Sequence, residues 1–391
     1  MPLPSANPRV LVFLPSWLGD TVMATPTLRL LREALPKSTI VGLARPGLDD
    51  LLAGTDFLDD VLVADRQSVL GPAKIASRLV PFRFDAALLL PNAFSAAITV
   101  RLAGIPIRVG YDRDGRGALL THRLHAPRRP PPHDGWLPIS AVDYYFAAGI
   151  NLLRALDRAA PSVPPPPIGP LALGLSDHQE RLARDLASRA GLDREPFLLL
   201  NPGGNNPAKR WPVERFAAVA HHVISRHGLR VAINGSPAEA DLVALIRDVI
   251  VLDNPHDEPR VVSLPELGVS IGSLKGLARD ARLVLTNDTG PRHLAAAFGT
   301  PCITLFGPTD PRWTTLPDSR ATPDAPGPQH PRESVLVADP SLPPDEVADD
   351  HPQRCRIDRI TIDTVLASVD AHLARPPRPP HHPLTRTAPG D

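Results

Sequence analysis

Two cysteines in 391 residues, Cys302 and Cys355, are too few for a disulfide framework or a cysteine zinc site, and they fit a reducing cytoplasm. No apolar run approaches the roughly 20 residues that a membrane span needs, although 43% of the chain is hydrophobic. Met1 to Asn7 lack a basic region followed by an apolar core, so no secretory signal is expected. Net charge is also absent. The 42 basic residues are matched by 42 acidic ones, which argues against a general nucleic-acid binder. Lysine is scarce: Lys37, Lys74, Lys209 and Lys275 are the whole complement, and every other basic residue is arginine. The glycines do not take the spacing of a dinucleotide fingerprint or a phosphate loop, so neither an ordinary dehydrogenase nor a kinase is implied.

What is present is alternation of strand and helix patterns, twice over. The length suits two domains of roughly 150–200 residues. In the first half, residues 9–15 (RVLVFLP) form a short apolar run of buried-strand type, and residues 39–44, 61–64 and 85–90 repeat it. Between the first two lies a helix pattern over residues 25–35, with Leu28, Leu31 and Leu35 on one face, Thr25 as its cap and Pro26 at its first position. Residues 161–170 (PSVPPPPIGP) hold six of the 49 prolines and read as a stiff linker. Beyond it the pattern predicts helices near 176–190, 213–227, 237–247, 273–280 and 291–298. Strands are predicted at 197–201, 229–234, 249–252, 283–287 and 302–306, with a last helix over 361–374. The expected domains are residues 1–160 and 173–374, joined by a proline-rich linker at 161–172 and followed by a disordered tail at 375–391. Such alternation means parallel sheets covered on both faces, and ligands of such sheets bind beyond the carboxyl ends of the strands.

Residues of chemical interest fall at those strand ends. After the first strand comes Pro15-Ser16-Trp17-Leu18-Gly19-Asp20, where Gly19 permits a tight turn and Asp20 is placed to act as a general base; alternatively Asp20 caps the following turn. After strand 197–201 come Gly203 and Gly204, which let backbone amides approach a ligand, and then Lys209, a compact charge suited to phosphate or one half of a solvated Lys-Arg pair. After strand 229–234 comes Glu239, either an acceptor for a ribose diol or a first-turn glutamate stabilised by the helix dipole. After strand 283–287 come Asp288, Thr289 and Gly290, with Pro291 at a helix start whose free amides form an anion site, and His293 in the first turn. Asp288 or Thr289 can equally be a cap, and His293 a structural histidine. Asp288-Thr289-Gly290 also resembles the aspartic-protease triplet, but a single copy between a strand and a helix excludes that reading.

Taken in order, these residues resemble the heptosyltransferase family, glycosyltransferase family 9, which includes heptosyltransferases I and II of lipopolysaccharide core synthesis. The resemblance runs from Val10 to about Val369. It rests on residues 16–20 with Thr25-Pro26, on Pro207-Ala208-Lys209-Arg210-Trp211-Pro212, on residues 287–293 with 306–311, and on Arg108-Val109-Gly110-Tyr111 with residues 113–116. It implies an α/β GT-B fold: two facing Rossmann-like lobes with parallel sheets and a C-terminal crossover helix, the first lobe for acceptor and the second for donor nucleotide. It further implies Asp20 as catalytic base and Lys209 on the donor diphosphate. Glu239 would contact the ribose, and Asp288, Thr289, Gly290 and His293 would surround the diphosphate and sugar. Ser16, Gly19, Gly203 and Gly204 would shape the site.

The expected reaction is an inverting transfer of heptose from ADP-heptose to an anionic, lipid-linked lipopolysaccharide core acceptor. The ADP-sugar donor enters as substrate, and no cofactor or obligatory metal is expected. The expected location is the cytoplasm, with peripheral contact at the inner membrane's cytoplasmic face. The arginines at 101, 108, 113, 116, 123, 128 and 129 either meet that acceptor or are ordinary solvated residues. Two departures from the family pattern bear on donor and acceptor identity: Cys355 stands without further cysteines around it, and Pro291-Arg292 replaces a more usual apolar pair. Alternatives are a family member with another donor or acceptor, or a non-catalytic nucleotide-binding homologue.

Overall fold

The computed structural model describes residues 6–65, 70–157, 168–317 and 332–376. Residues 161–167 of the proline-rich segment, the tail beyond 376 and residues 1–5 lie outside them. The chain divides into two compact units, the first running to Ala172 and including Arg312–Pro317, the second resuming at Leu173.

The first unit carries strands β1 (Arg9–Phe13), β2 (Thr39–Ala44), β3 (Asp60–Val63), β4 (Ala86–Leu89), β5 (Ile107–Tyr111) and β6 (His122–Leu124). Its helices are α1 (Leu18–Met23), α2 (Thr25–Ala34), α3 (Leu48–Leu52), α4 (Gly71–Leu79), α5 (Phe94–Leu102) and α6 (Ala141–Ala155). The strand order is β3-β2-β1-β4-β5-β6, parallel throughout, with Val12 of β1 in register with Gly42 and Leu88. A sheet buried on both faces needs continuous apolar strands rather than alternating ones, and β1 supplies four successive buried residues.

The second unit repeats the plan. Its strands are β7 (Phe197–Asn201), β8 (Arg230–Ile233), β9 (Val261–Ser263), β10 (Leu283–Asn287), β11 (Cys302–Phe306) and β12 (Glu333–Val337). Its helices are α7 (Asp177–Arg189), α8 (Val213–His227), α9 (Ala240–Asp253), α10 (Ile271–Asp280), α11 (Gly290–Phe298) and α12 (Ile362–Leu373). The order β12-β11-β10-β7-β8-β9 is that of the first sheet, read from the other end. Leu198, Leu200, Val231, Leu285 and Ile303 of the sheet pack with Trp211 and Phe216 and with Val365 and Val369 of α12 in one core. Each unit is thus a doubly wound, parallel α/β sheet, as the alternation predicts.

Three local expectations are corrected. Residues 249–252 are not a strand but the last turn of α9, because Val243, Ile246 and Ile250 recur at helical spacing and are buried. The strand comes later, at Val261–Ser263, after a 3₁₀ segment at Pro255–Arg260. Thr25 does not cap α2: it is the helix's first residue, and its hydroxyl binds Val22 O and receives the N–H of Ala172. The last helix, α12, packs on α8 and β11 of the second unit, and the segment grouped with the first unit is Arg312–Pro317, where Ser140 Oγ donates to Thr315 O at 2.6 Å. Among the described residues no helix is long and apolar enough to cross a membrane.

Helices α7 and α10 lie so close that a methyl group on Gly276 would overlap Ala183 Cβ and press on Leu175. Gly276→Ala gains about 1 kcal/mol of helix propensity but forces overpacking that costs about 1–3 kcal/mol. Net destabilisation is expected, read as a lower urea midpoint with an unchanged slope. A higher midpoint would show that the two helices separate freely.

Candidate active site

In the second sheet the chain order reverses between β7 and β10, the place where open α/β sheets leave a crevice for ligands. The loops leaving these two strands are tied by Asn287. Its Nδ2 donates to Pro202 O at 2.7 Å and Gly203 O at 3.1 Å, and its Oδ1 accepts from Trp211 N at 3.4 Å. Trp211, 2% exposed, donates its indole N–H to Ile360 O at 3.0 Å. The Pro207–Lys209 turn between these points is started by Asn206, whose Oδ1 accepts from Ala208 N. Lys209 is therefore held by a buried tryptophan on one side and a capped turn on the other.

Its Nζ lies 2.8 Å from Asp288 Oδ2, which also accepts from Thr309 Oγ1 at 3.2 Å. Arg292, buried in the first turn of α11, places NH1 3.7 Å from Asp288 Oδ1 and pairs through Nε and NH2 with both oxygens of Glu333, at 2.5 and 3.1 Å. Burial pushes the Asp288 carboxyl up, but Lys209, Arg292 and His293 outweigh it and hold the group below the usual carboxylate range. His293 is 3% exposed, its Nδ1 has no hydrogen-bond partner, and burial with the Arg292 charge beside it pushes the imidazole down to about 3. It is a neutral ring at any physiological pH. No side chain caps α11: the Thr289 hydroxyl instead contacts Thr286 Oγ1 at 3.1 Å and Asn287 O at 3.3 Å. The positive end of this nine-residue helix thus begins beside Lys209 and Asp288.

Glu239 completes the floor. Its Oε1 accepts from Gly204 N at 2.7 Å, and its Oε2 accepts from Ser236 N and Ser236 Oγ, both at 2.8 Å. The first-turn alternative is realised as a capping box, and the same carboxylate reaches across to the glycine loop. A Cβ at Gly203 would overlap the Glu239 carboxylate and displace it from Gly204.

In the first unit Asp20 sits in the first turn of α1, whose N-cap is Trp17, so the capping alternative does not hold. Asp20 Oδ1 accepts from the hydroxyl of Tyr145 at 3.1 Å, and Tyr145 is buried in α6. Ser16 is half-buried and Gly19 buried in the same turn. Beyond β4, Asn92 Oδ1 accepts from Tyr144 OH at 2.8 Å and from Arg116 NH2 at 3.3 Å, and Tyr111 stacks on Tyr144 with ring centroids 3.6 Å apart. Arg116 is wholly buried, binds Tyr111 O and Pro91 O, and is pushed down to about 10 by burial. The arginine cluster therefore divides by role. Arg108 and Arg116 hold backbone carbonyls, while Arg113 and Arg128 lie over the Trp136 ring, 4.4 and 4.5 Å from its centroid.

The structure thus brings together, at the strand ends of the second unit, Lys209, Glu239, Asp288, Thr289, Gly290, His293 and the two loop glycines, and in the first unit Ser16, Gly19 and Asp20. Sequence reading missed Asn287, Thr309, the Arg292–Glu333 pair and Tyr145. Arg292 carried a signal, because a charged residue stood where the pattern expects an apolar one. Tyr145 carried none.

Residues 73–323, more than half of the chain, match the model of glycosyltransferase family 9 (heptosyltransferase). The chain is 28% identical over 312 residues to lipopolysaccharide heptosyltransferase 2 of Salmonella typhimurium, covering 78% of this chain and 84% of that protein. It is 27% identical to the Escherichia coli lipopolysaccharide heptosyltransferase 2, with coverage of 78% and 84%. Among solved structures it is similar to E. coli ADP-heptose LPS heptosyltransferase II, with TM-score 0.71 and 24% identity over 94% of this chain and 98% of that one. A glycosyl transferase family 9 structure from Veillonella parvula gives TM-score 0.72 at 21% identity, covering 96% and 99%.

Because the unfolded chain takes up a proton near pH 6.5 at His293 and the folded site does so only near 3, stability is full above 6.5 and declines as pH falls below it. The decline is about 1.4 kcal/mol per pH unit. His293→Gln should remove that increment from the pH dependence of urea unfolding. An unchanged slope would mean that the imidazole protonates freely in the folded state.

Proposed function

The chain belongs to glycosyltransferase family 9, and on that premise we propose that it transfers heptose from ADP-heptose to a lipopolysaccharide core acceptor. The observation that carries this reading is the second unit's strand-end cluster, in which a half-buried lysine, an uncapped helix start and a neutral buried histidine share one crevice. That set suits a diphosphate. Lys209, kept in place by Asp288, offers its remaining ammonium protons, and the first amides of α11 at Gly290 add donors with the helix dipole behind them. The neutral ring of His293 supports hydrogen bonding to the sugar or phosphate without adding charge. Glu239 retains lone pairs for a ribose hydroxyl while holding the glycine loop open.

Asp20 of the first unit is the proposed general base. It takes the proton of the acceptor hydroxyl, whose oxygen bonds to the donor's anomeric carbon as the bond to ADP breaks, inverting the configuration. Tyr145, donating to Asp20 Oδ1, fixes the carboxylate's orientation. Charge accumulates on the departing diphosphate, so Lys209 and the α11 start stabilise the transition state more than the ground state. The Arg113–Trp136–Arg128 stack offers an aromatic and cationic surface suited to an anionic, lipid-linked saccharide at the cytoplasmic face of the inner membrane.

Calorimetry with ADP, UDP and GDP tests the donor reading: ADP should bind tightest, and tighter UDP or GDP binding would overturn it. Lys209→Ala should weaken ADP by about 10–100-fold, the worth of a hydrogen bond to a charged group.

Asp20→Ala should lower turnover by about 10²–10⁴ while ADP affinity stays as in the parent. Near-normal turnover would reject Asp20 as the base.

A further inference from the structure

At the other end of α8, two imidazoles and a carboxylate meet. His222 and His227 both direct Nε2 at Asp370 Oδ1 of α12, each at 2.7 Å, and their rings lie 5.7 Å apart at 60°. The three donor atoms lie within 4.8 Å of one another, and the side chains are about one-fifth to one-third exposed. A helix following a strand in a parallel sheet runs back along it, so the end of α8 lies at the edge of the sheet opposite the strand ends that hold Lys209 and Asp288. Nothing in the proposed transfer uses these residues.

We propose that His222, His227 and Asp370 bind one divalent transition-metal ion, of which zinc(II) is the type. Imidazole nitrogen with a single carboxylate is a donor set for zinc, not for calcium or magnesium, which take oxygen ligands. Zinc–donor bonds of about 2.0–2.2 Å at tetrahedral angles put neighbouring donors about 3.3 Å apart. The 2.7 Å pairs therefore need to open by only about half an ångström around an ion. All three side chains come from packed helices, so little ordering remains to be done.

Arg226, 3.8 Å from the other oxygen, Oδ2, is two-thirds exposed and is free to leave that oxygen to solvent or the ion. Water fills the fourth position. Bound there, the ion fastens α12 to α8, joining the last helix to the core of its unit.

The test uses the full chain, stripped with a chelator and exchanged into metal-free buffer, then titrated with zinc(II) by calorimetry at pH 7.5. One ion per chain is expected, with a rise in melting temperature of about 5–10 °C at a hundredfold excess over the dissociation constant. His222→Gln on α8 and Asp370→Asn on α12 should each weaken zinc at least tenfold, their metal-free melting temperatures showing that they fold. Replacing His381 and His382 of the tail by alanine should leave binding intact. The proposal is overturned if the parent protein takes up no zinc, if both helix variants bind as the parent does, or if binding disappears with the tail histidines.

Discussion

Lys209 and Asp288 are 79 residues apart along the chain and 2.8 Å apart in the fold. The remaining charges of the site follow from this pair. A carboxylate exposed to only 10% would be costly to ionise alone. The lysine ammonium offsets that cost on one oxygen and Arg292 on the other, 3.7 Å away. Arg292 is itself 1% exposed and would be an uncompensated buried cation without Glu333, whose two oxygens it holds and which also accepts from Thr304. The series Lys209, Asp288, Arg292, Glu333 alternates in sign from the crevice into the sheet edge at β12. His293 stands beside this series, and the nearby cations add to burial in keeping it neutral. Removing an inner member would leave its neighbour in the series a buried charge without its partner.

The two units share a strand order but use it for opposite electrostatics. In each, the switch point lies between the first and fourth strands, and in each a polar turn follows the first. In the first unit that turn delivers a carboxylate, Asp20, supported by a phenol from α6. The nearby arginine Arg116 is turned inward onto carbonyls, which keeps its charge in the scaffold. In the second unit the turn delivers a lysine and two glycines, and the fourth strand delivers a helix start. The first unit thus presents a carboxylate after its first strand, and the second a lysine beside an uncapped helix start. One backbone plan provides both through loop residues alone.

The fold was legible where the physics is local. Buried parallel strands must be continuous apolar runs, and β1, β2, β7, β10 and β11 are such runs bounded by turn residues. The failures also have physical causes. Residues 249–252 are as apolar as a strand, but the buried positions of α9 at 243, 246 and 250 belong to a helix extending to Asp253. Strand β9 is three residues long and follows two prolines, so no periodicity can mark it. Strand β12 is an edge, partly exposed along its whole length, and lacks the apolar continuity of an interior strand.

Within the site, the groups the sequence made visible are those on strand-end turns, where glycine, proline and polar residues punctuate an apolar pattern. The groups it hid depend on long-range pairing. Tyr145 reaches Asp20 across 125 residues, and nothing in the α6 pattern separates it from Tyr144 beside it, which serves Asn92 instead. Glu239 shows a third situation, in which both meanings of a residue are realised. It is a capping-box glutamate by local rule, and the same carboxylate holds Gly204 across 35 residues, which is possible only because Gly203 has no side chain. Local chemistry therefore placed Glu239 at the start of its helix, and tertiary packing brought that helix start against the glycine loop. A reading that treats structural and functional roles as exclusive will misjudge such positions, because a group that shapes a binding loop must first be fixed itself.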